Sequence, residues 1–101
     1  MVYSAPMGGY DWSEAKNSAL IAERGISFER VVTAIQDGDL LDEYCHPNAE
    51  RYPNQRIMVV AVDGYGYLIP FVYGDSQKFL KTIIPSRKAT RDYKIGSERE
   101  E

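Results

Sequence analysis

The chain has one cysteine and one histidine in 101 residues, and that scarcity excludes much chemistry. Cys45 cannot pair within the chain, so no disulfide framework supports the fold, and the usage suits a reducing compartment. The thiol itself reads either as a nucleophile or as a small half-buried hydrophobe. One thiol and one imidazole give no soft-metal cluster, and the acidic residues show no calcium-loop spacing, so the reading calls for no metal and no cofactor. Gly64-Tyr65-Gly66 lacks the helix and lysine of a phosphate-binding loop, and no serine stands at a nucleophile elbow. The longest aliphatic run, Ile57 to Val62, is too short to cross a bilayer. No basic stretch leads into an apolar one near the N-terminus, and the expectation is a cytoplasmic protein without membrane contact.

Tyrosine is plentiful instead: eight are present, enough for several to line a surface groove as amphipathic contact residues. Charge is unevenly spread behind a net value of -3. Residues 1–50 carry three basic side chains (Lys16, Arg24, Arg30) against nine acidic ones, whereas residues 51–96 carry eight basic against three acidic. An acidic chain can therefore still offer a cationic face to a phosphate backbone. The alternative is a solubilising surface.

The length suits a single domain, expected over residues 10–94, with a leader at 1–9 and an acidic tail at 95–101. Asp11 and Glu14 have capping-box spacing and Gly25 supplies a stop, which predicts a helix from about Trp12 to Arg24 with Trp12, Ala15, Ala19 and Ala22 facing the core. Ser27 caps a second helix, Phe28 to Gln36. After Gly38 the period changes, and strands are expected at Leu40–His46, Arg56–Val62, Tyr67–Tyr73 and Lys78–Ile84. The second should be covered on both faces, because both alternating sets are apolar. Asp63-Gly64-Tyr65-Gly66 makes a hairpin turn, and Pro70 argues for a bulge or a broken ladder. Ser86 caps a short final helix, Arg87 to Tyr93. The expectation is an α+β fold, two N-terminal helices packed on a four-stranded antiparallel sheet with a short C-terminal helix.

The segment Lys78 to Lys94 runs from an apolar strand into a basic, hydroxyl-rich stretch, so its charges should be presented on a rigid support. These parts suit metal-free attack on RNA, whose own 2′-hydroxyl is the nucleophile; the protein need supply only a proton acceptor, a proton donor and cations. Arg87 is the first candidate for phosphate because its guanidinium can hold two oxygens; its alternative is a salt bridge to the acidic helices. Lys88 and Lys81 follow, Lys81 either snorkelling to water or lining a cleft. Arg56 either enters the same cleft or braces Glu50 or Asp42. His46 and Glu50, together in a polar loop, are candidates to move protons, His46 being otherwise simply solvated. Tyr93 donates a proton, stacks on a base, or anchors the last helix. Lys16, Lys78 and Arg91 complete the candidate RNA contacts.

Trp12-Ser13-Glu14-Ala15-Lys16, Gly25-Ile26-Ser27-Phe28-Glu29 and Ile84-Pro85-Ser86-Arg87-Lys88-Ala89-Thr90, in that order, resemble the BrnT family of toxins from bacterial type II toxin-antitoxin systems. Ser13, Arg24 and the Pro85-Ser86 pair depart from the family pattern, which has aspartate after the tryptophan, histidine before the glycine and Ile-Ser-Ala-Arg at the strand end. The resemblance implies a RelE-like ribonuclease that blocks translation, with Lys16, Arg56, Arg87 and Lys88 at recurrently basic positions. It also implies a cognate DNA-binding antitoxin, of ribbon-helix-helix type, through which alone the complex would reach operator DNA. A non-catalytic partner of such an antitoxin is the rival reading, and an RNA-binding adaptor is a third.

Overall fold

A serine side chain starts each of the three helices in the computed structural model, which describes residues 9–74 and 76–96. Strand β1 (Tyr10–Trp12) precedes helices α1 (Glu14–Arg24) and α2 (Phe28–Gln36). Strands β2 (Leu40–Cys45), β3 (Gln55–Val62), β4 (Tyr65–Tyr73), β5 (Lys78–Leu80) and β6 (Ile84–Pro85) follow, and α3 (Arg87–Asp92) comes last. The fold is α+β, but the sheet differs from the expected one. It has six strands in the order β1-β5-β4-β3-β2, with β6 paired to β4, and β1 joins β5 in parallel. The leader and tail expected at the chain ends fall largely on residues 1–8 and 97–101, outside the described residues.

Two of these differences have a local cause. Trp12 belongs to β1 rather than to α1, because Ser13, not Asp11, caps the helix: its hydroxyl accepts from the Lys16 N–H at 3.2 Å. The Asp11 carboxylate instead accepts from the Trp12 N–H. The start of α1 thereby shifts, and so does its buried face. Asn17 and Leu20 are buried while Ala15 and Ala22 are exposed, since packing follows the largest apolar side chain rather than the alanine spacing. Buried Asn17 bonds two ways, its amide donating to Glu29 and its oxygen accepting from the Phe28 N–H, both at 2.8 Å. It thus satisfies a donor that a helix N-terminus would otherwise leave orphaned.

The last expected strand is split in two. β5 pairs Leu80 with Phe71, but β6 pairs Ile84 with Leu68, a shift of one residue. Pro70 sits at the break and accepts from the Lys81 N–H. The N–H it lacks would have pointed to the same side, so the ladder fails where the sequence said it should. Arg24, in the last turn of α1, donates to the free Ile83 carbonyl in that gap.

The core lies between α1, α2 and one sheet face: Trp12, Leu20, Phe28, Val31, Val32, Met58, Val60, Ile69, Phe71, Leu80 and Ile83 are buried there. Trp12 stacks on Phe28 with ring centroids 5.5 Å apart. The opposite set of β3, Ile57 and Val59, is buried as well, as continuous apolar patterning requires. β3 and β4 are joined by Asp63-Gly64 alone, both at positive φ (53° and 81°), the two-residue turn that matches strand twist. This tighter turn leaves Tyr65 and Gly66 inside β4. Gly66 is needed there, since a Cβ would meet Ile95 Cδ1 at 2.8 Å and the Thr90 N at 3.0 Å. Through that close approach α3 seats on β4, with the Thr90 hydroxyl accepting from the Gly66 N–H.

Candidate functional site

At the Gln55 end of β3 the helix-side face changes from apolar to polar. Met58, Val60 and Val62 lie under the helices, but Arg56, next in the same alternating set, is partly exposed. Strand register builds a row from there. Cys45 pairs with Arg56, Arg56 with Phe71, Tyr73 with Lys78, and Lys78 with Tyr10, so four strands besides β3 put side chains around it. Glu43 from β2 is the acceptor that ties the group together. Its carboxylate takes the Arg56 Nε–H at 2.8 Å and the Tyr73 hydroxyl at 3.2 Å, and lies 3.9 Å from Lys78 Nζ. Arg56 also donates to the Cys45 sulfur at 3.2 Å.

These contacts set the electrostatics. The hydrogen bond to Glu43 holds the Arg56 guanidinium above its already high pKa, so it is a permanent cation. Tyr10 is raised above the ordinary phenol value, first by burial and then by the charge of Glu43, and so stays protonated. The Lys78 ammonium lies 5.8, 5.5 and 5.8 Å from the ring centres of Tyr10, Phe71 and Tyr73, a desolvating seat for a cation. Beside it opens a pocket of about 380 Å³ lined by Gly9, Tyr10, Tyr73, Gly74, Ser76, Gln77 and Lys78.

The strand-end candidates gather elsewhere. α3 packs over Val59, Leu68 and Tyr44, the opposite face, so Arg87 does not converge with Arg56. Arg87 is exposed, with no hydrogen-bond or ion-pair partner among the described residues, hence no salt bridge to the acidic helices. Lys88 and Arg91 share Asp92, at 2.6 and 3.3 Å, and Lys88 chiefly draws that carboxylate below its usual range. Tyr93 donates to Asp42 at 2.5 Å. That bond lowers the Asp42 pKa and pushes the Tyr93 phenol up to about 12. Tyr93 thus anchors the end of α3 to β2.

The remaining candidates are dispersed. The His46 ring packs on Tyr52, and its Nδ1 accepts from the Asn48 N–H at 3.0 Å. Glu50 is exposed in the same loop and is not the partner of Arg56, nor is Asp42, whose neighbour in the pairing is Val59 on the other face. Lys16 is exposed on the first turn of α1; Lys81 reaches water with its Nζ 5.7 Å from the Phe79 ring centre. Sequence reasoning named Arg56 and Lys78 but missed Glu43, Tyr10 and Tyr73. The alternation of β3 was the usable signal: a residue two before a core methionine lies on the core face, and a partner carboxylate is then to be sought on the adjacent strand.

The chain matches no family model, no curated protein and no solved structure. Among the described residues no group of three or more His, Cys, Asp or Glu side chains could hold a metal ion, and no helix is long and apolar enough to cross a membrane.

Proposed function

We propose that this protein is a metal-independent endoribonuclease toxin of the BrnT type, with a RelE-like arrangement of its elements, held in check by a DNA-binding antitoxin. The observation that carries the reading is the Glu43 carboxylate fixed between Arg56, Tyr73 and Lys78 on an accessible sheet face, with protonated Tyr10 beside them. A carboxylate, two cations and a phenol are the parts needed to cleave RNA through its own 2′-hydroxyl.

In this reading Arg56 and Lys78 hold the scissile phosphate and offset the charge that builds on its oxygens. Glu43 takes the proton of the 2′-hydroxyl as its oxygen attacks phosphorus. The bond from phosphorus to the 5′-oxygen breaks, Tyr10 gives that oxygen a proton, and the products are a 2′,3′-cyclic phosphate and a 5′-hydroxyl. The cations of α3, Arg87, Lys88 and Arg91, are left for an acidic segment of the antitoxin. The test is cleavage of a defined single-stranded RNA in EDTA by wild type and by a folded Arg56→Ala variant. Cleavage by wild type alone is expected. A folded wild type that cleaves neither free RNA nor message on translating ribosomes would overturn the enzyme reading in favour of a non-catalytic antitoxin partner.

A further inference from the structure

Tyr73 is the most exposed large hydrophobic side chain among the described residues, at 59% of its full surface, yet it is held at both ends. Its hydroxyl donates to Glu43 at 3.2 Å, and its ring meets Phe71 edge-on, with centroids 5.5 Å apart and planes 78° apart. An aromatic ring that is both exposed and fixed has already lost the rotamer freedom that stacking would cost it. The pocket of about 380 Å³ opens against this ring, with Tyr10 and Lys78 also in its wall and glycines 9 and 74 leaving backbone uncovered at its edge. Gln77, also in the wall, carries an amide that can both donate and accept, as reading a base edge requires. Tyr73 and Lys78 belong to the pocket and to the Glu43 cluster alike, so whatever enters the pocket lies beside a phosphate held there.

We propose that this pocket is a nucleobase subsite, in which a base of single-stranded RNA adjoining the scissile phosphate stacks on Tyr73. The inference deepens the ribonuclease reading and rests on it for the choice of RNA. Stacking on an aromatic platform is tolerant of base identity, so the subsite supplies affinity and register first and selectivity second, through Gln77.

The experiment uses a fluorescently labelled single-stranded oligonucleotide of 2′-O-methyl ribose, which carries bases and phosphates but no free 2′-hydroxyl to attack. Its affinity is measured by anisotropy against a series with one abasic position moved along the strand. For wild type, one abasic position should weaken binding about tenfold, the worth of one stacked base. Tyr73→Ala should bind the intact strand about tenfold more weakly and no longer distinguish the abasic one, whereas Tyr73→Phe, which keeps the ring, should stay within roughly threefold of wild type. Affinity set by phosphate number alone, with abasic strands and Tyr73→Ala indistinguishable from their controls, overturns the subsite. Cleavage of ordinary RNA is scored separately: base-dependent binding without cleavage supports the subsite and sinks the nuclease, and cleavage without base dependence does the reverse.

Discussion

The two faces of the sheet both carry cations but hold them differently. On the helix-side face Arg56 and Lys78 come from different strands and meet at Glu43, in side chains only 24–32% exposed. On the other face Lys88 and Arg91 pair with Asp92 inside one short helix, and Lys88 and Arg91 are 77% and 70% exposed. Ion pairs of the second kind are screened by water and are worth little. The first kind is oriented by β register before any ligand arrives, and such preorganisation is what stabilising a transition state requires. A cluster of charges close in sequence is thus a weaker sign of a site than one assembled from distant strands.

Substitutions on each face test this contrast. The largest effect should come from the core: Phe28→Ala, which removes a fully buried ring stacked on Trp12, should cost about 3–5 kcal/mol in denaturant unfolding. Ala89→Gly in α3 should cost about 1 kcal/mol, and equal losses would mean that α3 is as integral as α2. Next, Arg56→Ala should lower RNA cleavage about 100-fold, as losing a preorganised charge donor does, while Arg87→Ala should change it less than about threefold. A reversed order would move the site to α3. Asn17→Ala, which orphans the Phe28 N–H, should destabilise by about 1–3 kcal/mol without altering cleavage by the folded fraction.

The smallest effect concerns Tyr93→Phe. Asp42 has a lowered pKa in the folded protein, so the contact contributes above the ordinary carboxylate range and is lost as pH falls through the folded value. Tyr93 is raised to about 12, so the contribution is full below the ordinary phenol value of 10 and is lost as pH rises through 12. Wild type should therefore exceed the variant slightly in stability between those limits and converge with it at both extremes. Tyrosinate absorbance should show two late-titrating tyrosines, Tyr10 and Tyr93, of which Tyr93→Phe removes one; a variant titrating like wild type would deny the contact.

Much of the fold was legible in local chemistry. Ser27 and Ser86 start helices, Asp63-Gly64 turns a hairpin, β3 is apolar in both alternating sets and Pro70 breaks a ladder, and each follows from a few adjacent residues. The site was legible only in part. Arg56 and Lys78 stood out as cations, but their acceptor could not be named, because Glu43 reaches them through the pairing of β2 with β3 and of β3 with β4. A shift of one residue in either register would have sent Arg56 to the face of α3.

Local sequence therefore gives most of the elements, the caps of α2 and α3, the β3–β4 turn and the apolar periodicity of α2 and β3, since these depend on backbone preferences within a few residues. Only the tertiary structure decided that Tyr10–Trp12 closes the sheet in parallel beside β5, that α1 buries Asn17 and Leu20, and that Tyr10, Glu43, Arg56, Tyr73 and Lys78 stand together. Those outcomes rest on contacts between residues 11 to 68 positions apart, where the competition among packing partners, not local propensity, selects the neighbour.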